Sequence, residues 1–181
     1  MGKRINKYSI FITAPEDVSE EADLVKEICK DLNDQPLIKR KIRLAPFGLS
    51  DCMPRTGKPE ELIKLLAEKC DIFIAIIHRH LGILSHNRDT GTREVFLHTL
   101  KTWEKKKKPL ILLYFKQINI KTLADATNPQ VLQVLSFKED IASKKYQSVD
   151  VINVLEESLI NGVSELSFDP FEVKFVRLNL N

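Results

Sequence analysis

Glu94 is the residue of this 181-residue chain whose type and position best suit chemistry. It follows the stretch RDTGTR and lies in the first turn of a predicted helix, where the helix dipole stabilises a negative charge. A carboxylate near an anomeric carbon can stabilise oxocarbenium character, orient sugar hydroxyls or act as a nucleophile. Two interpretations of Glu94 therefore stay open: a catalytic group for glycosidic chemistry, or a capping or solvated charge at a helix start.

Neighbouring polar residues indicate other chemistry only weakly. The stretch Asp89–Thr92 could cradle a phosphate at the N-terminus of the same helix. It lacks the glycines and the GK[ST] ending of a P-loop, which argues against nucleoside triphosphate hydrolysis. His78 and His80 share a face of an extended strand, and His86 is a loose third candidate ligand. We interpret the histidines as an ordinary strand exit and predict no metal site.

Cysteine usage and charge narrow the class of protein. Cys29, Cys52 and Cys70 have no CxxC spacing, and an odd count without a secretory signal predicts a reducing, cytoplasmic location. No apolar run is long enough to cross a bilayer.

The net charge of +3 does not by itself require a nucleic acid or a membrane partner. We interpret Lys105–Lys108 as the solvated C-terminal end of a helix, with a phosphate or RNA contact as the alternative.

Apolar stretches of the chain predict the strands that must position these residues. They are Tyr8–Thr13, Lys41–Ala45, Asp71–His78 and Pro109–Phe115. The first, third and fourth are near-continuous hydrophobic runs, which are typical of a parallel sheet covered on both faces. The second alternates, so we expect it nearer an edge. A short fifth strand is predicted over Lys145–Val149.

Apolar residues at helical spacing predict the helices between the strands. These cover Ser19–Asn33, Pro59–Cys70, Thr92–Lys105, Pro129–Ser143 and Val151–Asn161. The alternation predicts an α/β fold, namely a flavodoxin-like, doubly wound, mostly parallel five-stranded sheet with helices on both faces. We expect this domain over residues 1–163. Residues 164–181 are expected to form a C-terminal extension or a linker to a missing domain.

The predicted topology brings Glu94 towards the first strand. Ligands of doubly wound sheets bind beyond the carboxyl ends of the strands, where the strand order reverses. The turn Thr13–Asp17 leaves the first strand at that end, and long polar loops follow the second and third strands. We therefore expect Glu94 and the turn Thr13–Asp17 to face one cleft.

Several motifs occur in an order that resembles the TIR-like (Toll/interleukin-1 receptor-like) domain family, formerly catalogued as a domain of unknown function. The motifs are YSIFITAPEDVSEEADLVKEICKDLN, GKPEELI, CDIFIAIIHRHLG, TGTREVF, PLILLYF and NPQVLQVLSFKEDI. Together they cover about residues 7 to 160. Members of this family often lie at the N-terminus of immune-type NTPase or repeat proteins.

The resemblance implies cleavage of NAD at the nicotinamide–ribose bond, with Glu94 as the catalytic carboxylate. NAD is then the substrate, and no further cofactor is required. The resemblance also implies that Thr13, Ala14 and Asp17 line the ribose and phosphate side of the pocket.

Further site residues follow from the same resemblance. Arg79 matches an arginine that precedes Leu-Gly in relatives and would meet a pyrophosphate, while Phe47 would stack on a base. Thr92 belongs to the stretch that could cradle a phosphate. The region is also similar to nucleoside 2-deoxyribosyltransferases, whose D-x-G-T-x-x-E stretch supplies a nucleophilic glutamate, but Glu94 stands one residue early here.

These implications predict a TIR-like effector, a hydrolase that acts in immune or antiviral defence or in cell-death signalling after oligomerisation. One alternative is a non-catalytic TIR-like module for protein–protein interaction and signalling. A further alternative is an N-glycosidase acting on other nucleosides or nucleotides. The expected partners are NAD or a related nucleotide and further copies of the domain or its parent protein, with no membrane and no nucleic acid.

Overall fold

A computed structural model of the chain describes residues 5–34, 41–52, 59–82, 91–143, 152–155, 165–169 and 172–176. Strands and helices alternate through most of this length. In chain order they are β1 Asn6–Thr13, α1 Ser19–Asp34, β2 Ile42–Gly48, α2 Leu49–Cys52, α3 Pro59–Lys69, β3 Ile72–Ile77, α4 Thr92–Lys106, β4 Leu110–Phe115, α5 Leu123–Ala126, α6 Pro129–Ala142, β5 Ile152–Leu155, β6 Glu165–Asp169 and β7 Glu172–Val176.

The central feature is a parallel sheet in which β2, β1, β3 and β4 lie side by side in that order. The predicted α/β class and the four main strands are confirmed, with bounds that differ by a few residues. β2 is the edge strand, as its alternating pattern predicts, and it continues through Pro46 to Gly48. Proline is tolerated there because an edge strand has one side free of ladder hydrogen bonds.

Helices pack against both faces of the sheet. Alternate strand residues point to opposite faces, so Phe11 and Phe73 belong to one buried cluster and Ile10 and Ile74 to the other. The first cluster receives apolar side chains from α3, α4 and α6, and the second receives them from α1. β3 is buried along its whole length, because it is covered on both faces and flanked by strands on both edges.

The C-terminal part of the chain departs from the sequence prediction. Ile152–Leu155 is a strand that pairs in parallel with β4, so the helix predicted over Val151–Asn161 is wrong at its start. The strand predicted over Lys145–Val149 lies outside the described residues. In the C-terminal extension, β6 and β7 pair with each other in antiparallel fashion and make a separate two-stranded sheet.

The basic run at the end of α4 has the solvated character predicted for it. Lys105–Lys108 are all exposed. Lys107 adopts a left-handed conformation, and its Nζ lies 4.3 Å from the centroid of the Trp103 ring. In the part of the chain that the structure describes, no helix combines the length and apolar character that a membrane span requires.

The outer edge of β2 is closed by one side chain. Asn33, near the end of α1, donates from Nδ2 to the Leu44 carbonyl and accepts the Leu44 N–H at Oδ1, both at 2.7 Å. The amide thus replaces a neighbouring strand at this position. We expect Asn33→Ala to lower the free energy of unfolding by about 1–3 kcal/mol, because two backbone groups lose their partner.

Urea unfolding of Asn33→Ala beside Lys30→Ala measures this effect. Lys30 is an exposed residue of the same helix, so its removal should change the free energy of unfolding by less than about 0.5 kcal/mol. Equal stabilities of the two variants would contradict a role for the amide in closing the edge.

Candidate functional site

Glu94 lies where the carboxyl end of β3 leads into α4. The side chain is exposed, while the neighbouring Val95 and Phe96 are buried. Within the described part of the chain, Glu94 makes no ion pair and no side-chain hydrogen bond. Its carboxylate is therefore available to a ligand, and the first turn of α4 favours its negative charge.

A cleft of about 350 Å³ lies against Glu94. One wall comes from the exit of β3 and the first turn of α4, and its residues are Leu81, Gly82, Gly91, Arg93 and Glu94. The Arg93 N–H donates to the Leu81 carbonyl at 3.3 Å. This bond holds the β3 exit against the start of the helix.

The opposite wall comes from α6. Gln133, Ser136, Phe137 and Asp140 line the cleft, and their spacing places them on one face of the helix. Gln133 and Ser136 are exposed, whereas Phe137 is buried and forms the apolar floor. The α6 wall therefore offers an amide and a hydroxyl group to a ligand, and the Asp140 carboxyl group lies on the same wall.

Two glycines let the backbone close tightly at the base of the cleft. Gly82 has a φ of +88°, and a Cβ there would lie 2.8 Å from the Thr92 nitrogen. A Cβ on Gly91 would lie 3.2 Å from the Leu81 carbonyl oxygen. Any other residue at position 82 would therefore be strained by the positive φ, and its Cβ would clash with the backbone of Thr92.

The turn after β1 contacts the exit of β3 instead of the cleft. Asp17 accepts the Arg79 N–H at 2.9 Å through Oδ2. The same carboxylate lies 3.2 Å from His78 Nδ1 and 3.2 Å from His80 Nε2. These two contacts are ion pairs when the imidazole rings are protonated. Asp17 thus fastens the first loop to the exit of the third strand.

Arg79 is also engaged within the protein. Its guanidinium pairs with Asp125 in α5. Asp125 in turn forms a reciprocal capping box with Thr122 at the start of that helix. These contacts hold the pKa of Asp125 below its usual value, with the Thr122 hydrogen bond as the first cause and the Arg79 hydrogen bond as the second. In this arrangement Arg79 connects two loops, and a pyrophosphate would have to compete with Asp125 for it.

The remaining predicted site residues are partly or fully enclosed. Thr92 is buried, and Phe47 stacks on Phe11 with ring centroids 5.4 Å apart. Thr13 and Ala14 are half-buried at the end of β1.

Among the described residues, Glu94 is the one predicted site residue that lines the cleft. The turn Thr13–Asp17 is not among the residues that line this cleft, so its predicted place beside Glu94 stays a prediction. Glu94 lines this cleft together with residues of α6, a helix that the sequence reasoning did not place near it.

Arg93, Gln133, Ser136 and Asp140 are cleft residues that sequence reasoning missed. Three of them recur at helical spacing on the polar side of α6, and this pattern could have indicated a shared helix face. The same pattern is typical of any solvent-exposed helix face, so it indicates a site only once the position of α4 is known.

Thiol and metal chemistry find no support in the described residues. Burial raises the pKa of both the Cys29 and the Cys70 thiols to about 12, so neither forms a thiolate near neutral pH. No group of three or more metal-ligating side chains is present in the part of the chain that the structure describes. His78 and His80 instead face the Asp17 carboxylate.

His78 is expected to make stability depend on pH. Burial lowers its pKa below the ordinary value of 6.5, and the charges of Lys116 and Arg79 act in the same direction, while Asp17 opposes them. The unfolded chain therefore binds more protons than the folded chain in the window just below pH 6.5. We expect stability to be full above about pH 6.5 and to fall as the pH drops through that value.

The measurement is the free energy of unfolding of the protein and of His78→Gln between pH 5 and 8. A smaller decline below pH 6.5 in the variant is the expected result. Identical profiles would contradict the assignment to His78.

Comparison with known proteins adds no relative. No family model matches the chain. A search of curated proteins also finds no match.

Proposed function

We propose that this chain is a TIR-like domain that hydrolyses NAD at the nicotinamide–ribose bond, with Glu94 as the catalytic carboxylate. The observation that supports the proposal is the exposed Glu94 side chain on the wall of a cleft of about 350 Å³. Ligand sites commonly occupy clefts of about 300–1,000 Å³. An uncommitted carboxylate in such a cleft suits a reaction that develops positive charge on a sugar.

The proposal includes a finer description of the fold. It takes the sheet as five-stranded, flavodoxin-like and doubly wound. The parallel pairing of Ile152–Leu155 with β4 and the helices on both faces support this description. The site then lies at the carboxyl edge of the sheet, as in other folds of this class.

The proposed reaction converts NAD and water into ADP-ribose, nicotinamide and a proton. The bond between C1′ of the ribose and the nicotinamide nitrogen breaks, and its electron pair leaves with the nitrogen, so that nicotinamide departs as a neutral molecule. Water then forms a bond to C1′ and loses a proton to the solvent. Glu94 stabilises the positive charge on C1′ while neither bond is complete.

Activity is proposed to depend on assembly, since TIR-type domains resembling this one are weak until they are clustered. The test is to fuse the domain to an oligomerising partner and to follow nicotinamide and ADP-ribose from NAD by chromatography. We expect nicotinamide release that rises when the domain is clustered. Release that stays at the level of buffer, with the domain folded and clustered, would overturn the proposal.

A non-catalytic self-association module is the second candidate. The observation that favours it is the outer face of α6, where Leu132 and Leu135 are 48% and 39% exposed. Exposed apolar side chains one helical turn apart are suited to a contact with a second copy. Sedimentation of the unfused domain, read together with the clustered-domain assay, separates the two candidates, because self-association of the unfused domain without nicotinamide release supports the module.

The third candidate, an N-glycosidase acting on other nucleosides or nucleotides, uses the same carboxylate. A panel of purine and pyrimidine nucleosides in the clustered-domain assay tests it. Release of a free base from one of these nucleosides, without release of nicotinamide from NAD, would identify that nucleoside as the substrate in place of NAD.

A further inference from the structure

The Glu94 cleft carries a cation beside its carboxylate. Arg93 is exposed and lines the cleft, and its guanidinium carbon lies 5.5 Å from the centroid of the Phe137 ring. A guanidinium over an aromatic face is held in place while its N–H groups stay available. Among the described residues, Arg93 has no carboxylate within ion-pair distance. The cleft therefore contains a positioned cation that suits a phosphate.

The wall from α6 supplies neutral hydrogen-bonding groups opposite that cation. Gln133 and Ser136 are exposed and three residues apart on one helix, so they face the cleft from the same side. An amide and a hydroxyl can both donate and accept, which matches the hydroxyls of a ribose. The guanidinium of Arg93, the amide of Gln133 and the hydroxyl of Ser136 thus line the same cleft.

The size of the cleft limits which part of a dinucleotide it holds. A volume of about 350 Å³ is at the low end of the range for ligand sites of about 300–1,000 Å³. A dinucleotide is about twice the size of a mononucleotide, so one nucleotide unit fills the space and the other lies outside it. Since Glu94 must face the reacting C1′, the unit inside is the one that carries nicotinamide.

We propose that the cleft between α4 and α6 is a mononucleotide site, with Arg93 binding the phosphate next to the reacting ribose and with Gln133 and Ser136 binding its hydroxyls. This inference rests on the proposed function and adds a substrate to it: free nicotinamide mononucleotide is cleaved as well as NAD. Nicotinamide mononucleotide and water give ribose 5-phosphate, nicotinamide and a proton. The bond changes at C1′ are those of the NAD reaction.

The first experiment compares substrates in the clustered-domain assay. We expect nicotinamide release from nicotinamide mononucleotide with a kcat/KM within about tenfold of that for NAD, because the adenosine half lies outside the cleft. Arg93→Gln should raise KM for the mononucleotide by about 10- to 100-fold, since a charged hydrogen-bonding partner of the phosphate is lost. KM should change more than kcat, as a binding residue requires.

Arg43→Gln is the matched control. Arg43 is an exposed residue of β2, so the same chemical change there should leave KM for the mononucleotide unaltered. An Arg93→Gln variant that behaves like Arg43→Gln would overturn the proposal, as would cleavage of NAD without cleavage of the mononucleotide.

A binding measurement separates this inference from the proposed function. Nicotinamide mononucleotide is titrated into the protein, into Arg93→Gln and into Arg43→Gln by calorimetry. Binding that is lost only in Arg93→Gln supports the mononucleotide site. If no substrate releases nicotinamide in the same proteins, the hydrolase proposal is overturned and the binding site still stands. Binding that is absent, or that is equal in all three proteins, overturns the site.

Discussion

Replacing Glu94 by glutamine is expected to lower kcat for nicotinamide release by about 100- to 1,000-fold, which is the usual effect of removing one preorganised electrostatic group at a reacting centre. Glutamine keeps the shape of the side chain and removes its charge. The developing positive charge at C1′ then loses its nearest stabilising partner. Clustered protein and variant are compared at saturating NAD, with nicotinamide measured by chromatography.

The fold should be nearly unaffected by this change. Glu94 is exposed and contacts no other described side chain through an ion pair, so the remaining cost is its interaction with the dipole of α4, about 0.3–1 kcal/mol. Glu27→Gln, an exposed position of α1, serves as the control and should keep the full rate. A Glu94→Gln variant that hydrolyses NAD as fast as Glu27→Gln would leave Glu94 as a helix-start charge only.

The four main strands and the edge position of β2 could be predicted, because a buried strand has a local pattern of apolar residues. β3 reads IFIAII, and such a run is compatible with a strand that is covered on both faces. β2 alternates and stands at the edge, where one face is less buried. Helices α1, α3, α4 and α6 also begin and end within one residue of their predicted bounds, since apolar spacing and proline mark them.

The segment Ile152–Leu155 shows where local pattern fails. Its apolar residues continue at helical spacing into Leu159, so the sequence favours a helix. The structure instead aligns Ile152–Leu155 beside β4, where backbone pairing replaces the helical bonds. Ile and Val suit a strand as well, and short apolar runs cannot distinguish the two by periodicity alone.

The roles of Asp17 and Arg79 could not be predicted for a different reason. Both lie at the carboxyl edge of the sheet, as expected, yet each meets a partner from a distant part of the chain. Asp17 contacts residues at the end of β3, and Arg79 pairs with Asp125. A single sequence does not show which charged residues pair in the fold. Charged residues that form ion pairs within the protein therefore cannot be distinguished by sequence from charged residues that bind a ligand.

The orientation of α4 decides where Glu94 points, and Phe96 sets that orientation. Phe96 is 0% exposed, and it meets Phe137 of α6 edge to ring with centroids 5.7 Å apart. Phe137 also lines the cleft. The packing of α4 against α6 and the geometry of the cleft therefore depend on the same pair of rings.

Phe96→Ala is expected to lower the free energy of unfolding by about 3–5 kcal/mol, the usual cost of removing a buried aromatic ring and leaving a cavity. The contact with Phe137 is lost with it, and aromatic pairs contribute about 0.5–1.5 kcal/mol beyond their buried area. Urea unfolding followed by circular dichroism measures the change. A loss of this size is a large share of the 5–15 kcal/mol typical of a folded domain, so the variant should unfold at much lower urea.

Two further variants identify the source of the loss. Leu132→Ala, on the 48%-exposed outer face of α6, should cost less than about 0.5 kcal/mol, because little buried surface is removed. Phe96→Leu keeps most of the volume and should recover much of the stability. If Phe96→Ala and Leu132→Ala unfold at the same urea concentration, α4 does not pack on α6 through this ring. The Phe96–Phe137 contact then does not set the position of Glu94 in the cleft.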